Sequence, residues 1–156
     1  MSVDSKVVRG RRDLKFTSLD DVLADAEKLA SSPDTEVLGN WPLNHLFMHL
    51  ASAMNKSIDG ISFKPPWQYR LLGFFIKGRI LSRGMPPGFR LPKEAEARAY
   101  PAAPSVEDAL ETLRKAVDRV KTERMTVRHP VFGRLNHEEW TRFHLRHAEL
   151  HLSFAV

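Results

Sequence analysis

Apolar residues recur at helical spacing in several separate stretches of this chain, and this periodicity limits its fold more than any other feature. The clearest apolar face consists of Val106, Ala109, Leu110, Leu113, Val117 and Val120. Residues three and four positions apart share one side of an α-helix. No stretch shows the regular alternation of apolar and polar residues that is typical of a strand. The sequence therefore predicts an all-α fold.

Capping signals and prolines predict where five helices begin and end. Three helices are expected to start where a capping residue stands three positions before an acidic residue. These pairs are Ser18 with Asp21, Ser105 with Asp108 and Asn136 with Glu139. The second helix is expected from Trp41-Pro42 to about Asp59, and the third from near Pro66 to near Gly84. Four longer amphipathic helices around one core predict a bundle.

The length of 156 residues predicts a single domain over residues 1–156. Residues 84–104 contain five prolines, which disfavour a helix and predict a long connector. Residues 1–15 are polar and basic and are expected to form a loose arm. The third helix is apolar on two sides, with Trp67 and Phe74 on one and Leu72 and Ile76 on the other. It is interpreted either as a subunit contact or pocket wall, or as plain core.

Composition narrows the kinds of partner and site. The chain has no cysteine, so any metal must be held by nitrogen or oxygen. Its formal charge of +5 is spread along the chain, and no nucleic-acid-binding motif is present, so no nucleic-acid partner is expected. The apolar run from Leu71 to Ile76 is too short to span a bilayer, and the N-terminus has no apolar leader. We expect a cytoplasmic protein with no membrane partner.

Three histidines, His144, His147 and His151, lie on one stripe of the last predicted helix. An α-helix turns roughly 100° per residue, so His147 and His151 can direct two ring nitrogens at one cation. His49, on the flank of the second helix's apolar face, is the best candidate for a third ligand. Such a set suits zinc, nickel or iron. The alternative is that these are ordinary, partly buried histidines that bond to their neighbours.

The remaining candidates are assigned less direct roles. His144 and His45 are candidate proton carriers, since imidazole titrates near neutral pH. His144 is also a candidate fourth ligand or, with Trp140, a candidate lining residue of a substrate pocket. His129 is expected to be structural. Glu149 is expected to point away from the paired histidines and, like Arg146, to face water.

Several of these residues together resemble a known family. The segments that carry the resemblance are Trp41-Pro42-Leu43, His49-Leu50-Ala51, Ile58-Asp59-Gly60, His129-Pro130-Val131-Phe132-Gly133 and the ending His147-Ala148-Glu149-Leu150-His151. They resemble the DinB/YfiT-like metalloenzyme superfamily, in a branch catalogued as a domain of unknown function. The similarity covers nearly the whole chain. The chain departs from the usual ending at Leu150, where branch members often have a histidine.

The resemblance implies a DinB-like four-helix bundle with one divalent metal, nickel, zinc or iron, held by His49, His147 and His151. It also implies a possible homodimer, because many relatives are dimers, and a small thiol as a possible substrate, because some relatives are thiol S-transferases or isomerases. We therefore expect a metal-dependent enzyme of unassigned substrate. It would act as a thiol S-transferase or isomerase, or as a hydrolase that uses water. The alternative is a non-catalytic stress-response or small-ligand-binding helical module.

Overall fold

The computed structural model describes residues 3–62, 64–88 and 105–156. Five helices lie within these ranges: α1 (Leu19–Ser31), α2 (Leu43–Asp59), α3 (Trp67–Arg83), α4 (Val106–Thr122) and α5 (His137–Leu152). The described residues form no β-strand, only two isolated bridges, so the predicted all-α class is confirmed. Most of the predicted proline-rich connector, residues 89–104, lies outside the described residues.

The three predicted capping pairs are confirmed by their hydrogen bonds. The backbone N–H of Asp21 donates to the Ser18 hydroxyl, and the backbone N–H of Ser18 donates to the Asp21 carboxylate. Asn136 and Glu139 form the same reciprocal pair at the start of α5. Each pair satisfies two backbone donors that the first helical turn leaves without intrahelical partners. The caps therefore fix the register of α5, on which two candidate ligands lie.

The core lies where α1 and α2 pack against α4 and α5. The apolar face predicted for α4 is buried in it, with Leu113, Val117 and Val120 wholly inaccessible. Burying a large apolar side chain contributes roughly 1.5–3 kcal/mol to stability. Packing of α2 against α5 brings His49 towards the histidines of the last helix.

Helix α3 lies on the outside of this core and packs against α5. Its inward side carries Gly73, Ile80 and Leu81, whereas Phe74 and Phe75 are 76% and 73% exposed. The interpretation of α3 as plain core is therefore wrong. No helix among the described residues has the length and apolar character needed to cross a membrane.

Two glycines of α3 provide a matched test of how this helix is held. A Cβ atom at Gly73 would overlap the backbone oxygen of Val131, whereas a Cβ at Gly78 would meet no atom within 4 Å. We expect Gly73→Ala to lower the free energy of unfolding by about 1–3 kcal/mol, because backbone must shift. Gly78→Ala should raise it by up to about 1 kcal/mol through better helix propensity. Urea denaturation of both variants measures the difference, and equal changes would contradict the close approach of α3 to Val131.

Hydrogen bonds hold the end of the N-terminal arm, residues 1–15, in place. The expectation of a loose arm is therefore wrong for Arg11 and Arg12. The Arg12 guanidinium donates to both carboxylate oxygens of Asp25 at 2.7 Å and to the carbonyl of Ala155 at 2.6 Å. The Arg11 guanidinium donates to the Ser153 hydroxyl at 2.6 Å. Sequence periodicity does not report the bonds to Ser153 and Ala155, because they join residues about 140 positions apart.

The expectation that Arg146 and Glu149 face water is wrong. Their side chains are 12% and 10% exposed, and they form an ion pair at 3.0 Å. Glu149 accepts a hydrogen bond from the backbone N–H of Phe16, and Arg146 donates to the carbonyl of Phe16, both at 2.7 Å. The segment before α1 therefore covers the side of α5 that the helical wheel assigns to solvent.

Candidate metal centre

Two helices bring three histidine rings together at one point. His49 is on α2, and His147 and His151 are one turn apart on α5. The Nε2 atom of His147 lies 3.0 Å from Nε2 of His49 and 3.0 Å from Nε2 of His151. One ligand atom from each of the three lies within 4.8 Å of the other two. The structure thus brings together the three residues that the sequence analysis selected.

The spacing of these nitrogens fits a shared cation. With metal–nitrogen bonds of about 2.1 Å, adjacent ligands lie about 3.0 Å apart in an octahedral shell and about 3.4 Å apart in a tetrahedral shell. The two measured separations of 3.0 Å match the octahedral edge. The donor set of three imidazole nitrogens also suits zinc, nickel and iron chemically.

Hydrogen bonding alone accounts for only one of the two short separations. A ring nitrogen of neutral histidine carries either one N–H or one lone pair, so it makes one well-directed hydrogen bond. Nε2 of His147 has two nitrogen neighbours at the same distance. A cation at a common point would accept lone pairs from all three rings.

The electrostatics of the site keep the imidazoles of His147 and His151 neutral, which is the form that binds metal. Burial lowers the pKa of His147 well below 6.5, and the charges of His151 and His49 lower it further. Burial also lowers the pKa of His151 well below 6.5, with further lowering by His49 and Arg11. The lone pairs of both rings therefore stay available for a metal even when the pH falls below the pKa of free imidazole.

Trp41 also contributes to this site, which its sequence signals do not predict. Its indole stacks on the ring of His151 at a centroid distance of 5.4 Å and on that of His45 at 5.5 Å. It also lies 5.2 Å from the ring of His49, tilted by 54°. The sequence assigns Trp41 to the start of α2 and to the family resemblance but not to the site, because helical spacing says nothing about a residue that precedes the helix. It forms an apolar wall beside two of the three candidate ligands.

His144 and Trp140 lie in the core. Each is 1% exposed, and their rings stack at 5.5 Å. His144 Nε2 is 3.2 Å from the Ser57 hydroxyl, and burial lowers the pKa of His144 to about 3. A group with this pKa stays neutral near pH 7, so the geometry supports His144 as a positioning residue better than as a proton carrier. His45 is partly exposed, and burial lowers its pKa less far.

A cleft of about 630 Å³ lies away from the three histidines, between α3 and the turn after His129. Its walls include Arg70, Leu71, Phe74, Lys77, Phe132 and Arg134. Neither Trp140 nor His144, the predicted pocket residues, lines it. Their assignment to a substrate pocket therefore stays a prediction.

His129 holds that turn together. Its Nδ1 atom accepts hydrogen bonds from the backbone N–H groups of Val131 and Phe132 at 3.1 and 3.0 Å. Burial lowers the pKa of His129 to about 4, so the neutral acceptor form persists at neutral pH. Its expected structural role agrees with this arrangement.

Comparison with known proteins gives one family. No curated protein and no solved structure matches the chain. The model of a family described as a protein of unknown function (DUF1569) matches residues 8–156, which is nearly the whole chain. The chain therefore belongs to this family of unknown function, as the resemblance to a branch with that description predicted.

Proposed function

We propose that His49, His147 and His151 bind one divalent cation and that the protein is a metal-dependent enzyme. The observation that carries this proposal is the position of His147 Nε2, 3.0 Å from a nitrogen of each of the other two rings. The lowered pKa values of His147 and His151 support it, because protons compete weakly for these rings.

Three protein ligands leave room for a small molecule at the cation, as catalytic sites do. When bound, the cation would supply Lewis acidity that lowers the pKa of a coordinated water or small thiol. His147 and His151 keep partial solvent exposure, which supports the proposal that a small molecule reaches the cation. Trp41 would supply an apolar contact surface for it. We therefore propose transfer or isomerisation with a thiol, or hydrolysis with water.

The DinB-like fold is part of the same proposal. Helices α1, α2, α4 and α5 would correspond to the four helices of the bundle, because they share the core. Helix α3 would be an addition on its outside. The ligands then lie on two bundle helices, α2 and α5, as the resemblance implies.

The second candidate function is a non-catalytic module in which the cation is structural. The observation that favours it is the position of the described cleft, which lies between α3 and the turn after His129 and not at the histidines. A structural cation would tie α2 to α5 and raise stability without turnover. The two candidates differ in activity and agree on metal binding.

We expect about one equivalent of divalent metal per chain in protein purified without an affinity tag. Elemental analysis measures this, and chelator treatment followed by titration with zinc, nickel or iron tests whether loading is reversible. Thiol-conjugation and ester-hydrolysis assays of the loaded and stripped protein then separate the two candidates. Chelator-sensitive turnover supports the enzyme, metal without turnover supports the structural site, and failure to bind any of the three metals contradicts both.

A further inference from the structure

Helix α3 exposes a continuous row of large apolar side chains, which we call the α3 stripe. It consists of Trp67, Leu71, Phe74 and Phe75, which are 69%, 53%, 76% and 73% exposed. Their three- and four-residue spacing places them on one side of the helix. They expose on the order of several hundred Å² of apolar surface, which in a monomeric protein marks an interaction site.

The charged residues of the segment that carries the α3 stripe are all of one sign. Residues 60–88 contain five lysines and arginines and no aspartate or glutamate. This local charge equals the formal net charge of the whole chain, +5, because cationic and acidic residues balance elsewhere. The binding partner must therefore be both apolar and anionic.

The cations flank the α3 stripe on both sides. At roughly 100° per residue, Arg70 and Lys77 lie along one edge and Arg79 and Arg83 along the other. Lys77 is 2.7 Å from Glu139, whereas Arg70, Arg79 and Arg83 are exposed and form no ion pair with a described carboxylate. The cleft of about 630 Å³ also borders the edge with Arg70 and adds Arg134 to it.

We propose that the α3 stripe docks on an anionic lipid surface. Helices with this chemistry lie in the plane of the interface, with aromatic and aliphatic side chains at the acyl boundary and cations at the headgroups. Long arginine side chains reach from the helix to lipid phosphates while their stems stay on apolar surface. The expectation of no membrane partner rests on the lack of a segment that could span a bilayer, and docking on a lipid surface does not need one.

A second copy of the chain fits this surface less well. Two α3 stripes facing each other would bring together two sets of uncompensated cations, which repel. Many acidic residues elsewhere in the described chain already pair with cations, such as Asp20 with Lys121, Glu27 with Arg114 and Asp59 with Arg119. Exposed acidic residues without such a pair, among them Asp4, Asp34 and Asp118, leave a second copy of the chain as an outcome that the experiment must separate from lipid binding.

Vesicle co-sedimentation of the full chain tests the proposal. We expect binding to vesicles of phosphatidylcholine mixed with phosphatidylserine and little binding to phosphatidylcholine alone. Phe74→Ser with Phe75→Ser should weaken binding at least about tenfold, because two aromatic side chains no longer enter the acyl boundary. Arg70→Gln, Arg79→Gln and Arg83→Gln together should weaken it roughly a hundredfold, about fivefold for each charge.

The matched control removes three exposed arginines outside α3, in the variant Arg9→Gln, Arg124→Gln and Arg128→Gln. It lowers the net charge equally, and we expect less than about fivefold weaker binding, because none of the removed charges lies on α3 or lines the cleft beside it. Brominated lipids should quench the fluorescence of Trp67, and circular dichroism should confirm that every variant keeps its helices.

Equal binding to both vesicle types, equal effects of the two arginine triples, or no sedimentation with anionic vesicles would overturn the proposal. The proposal would also be overturned if the protein is a dimer that does not bind vesicles and that becomes monomeric in the variant Phe74→Ser with Phe75→Ser. That result would identify a second copy of the chain as the partner.

Discussion

His151→Ala is expected to weaken metal binding by at least about a hundredfold while helix content stays unchanged. Loss of a residue that merely supports a ligand costs about 10–100-fold in affinity, and His151 is a proposed ligand itself. The remaining pair, His49 and His147, would hold the cation through two nitrogens from different helices. Competition with a chromophoric chelator measures the affinity, and circular dichroism measures the helix content.

His137→Ala is the matched control for this experiment. His137 lies on the same helix, is exposed, and stands at its first position, far from the candidate ligands. Its replacement should leave metal affinity within about twofold of the original, since it touches none of the three rings. Equal affinities of the His151→Ala variant and the unchanged protein would remove His151 from the proposed ligand set.

The geometry also ranks the three ligands. His147 has a nitrogen 3.0 Å from a nitrogen of each of the other two rings, which places it at the centre of the set. We expect His147→Ala to weaken binding at least as much as His151→Ala or His49→Ala. An opposite order, with His147→Ala the mildest, would indicate that the rings are held by hydrogen bonds and packing rather than by a cation.

The sequence was sufficient to predict the elements because their signals are local. Helical spacing and capping pairs depend on residues within one or two turns, and Ser18 with Asp21 and Asn136 with Glu139 form the bonds that their spacing predicts. His147 and His151 are also a local pair, four positions apart on one helix. The selection of His49 over His45 depended on its place beside the apolar face, and the structure buries His49 more deeply than His45.

Contacts between distant segments were not predictable in the same way. The contact of Trp41 with His151 joins positions more than 100 residues apart, and no periodicity connects them. The exposure of Phe74 and Phe75 was one of two alternatives that the sequence left open, because an apolar helix looks the same whether its partner is this chain or another surface. Arg146 and Glu149 lie on the polar side of α5, and only the folded position of Phe16 shows that this side is covered.

Glu149→Gln is expected to lower the free energy of unfolding by about 3 kcal/mol. The carboxylate is 10% exposed and accepts from the backbone N–H of Phe16 as well as pairing with Arg146. Removing one partner of a buried ion pair leaves the other charge desolvated without compensation, which costs about 3–5 kcal/mol in fully buried pairs. The slight remaining exposure places the expected loss at the lower end of that range.

Glu138→Gln supplies the comparison, because Glu138 pairs with Arg142 on the same helix with 73% of its side chain exposed. Exposed pairs of this kind contribute about 0.3–0.5 kcal/mol, so the two glutamate variants should differ several-fold in their effect. Urea denaturation in the presence of chelator isolates this difference from any stabilisation by bound metal, since Glu149 lies between two proposed ligands in sequence. A double-mutant cycle with Arg146→Met should give a coupling energy of at least about 1 kcal/mol. Equal, small effects of both glutamate variants would mean that the segment before α1 leaves this side of α5 open to water.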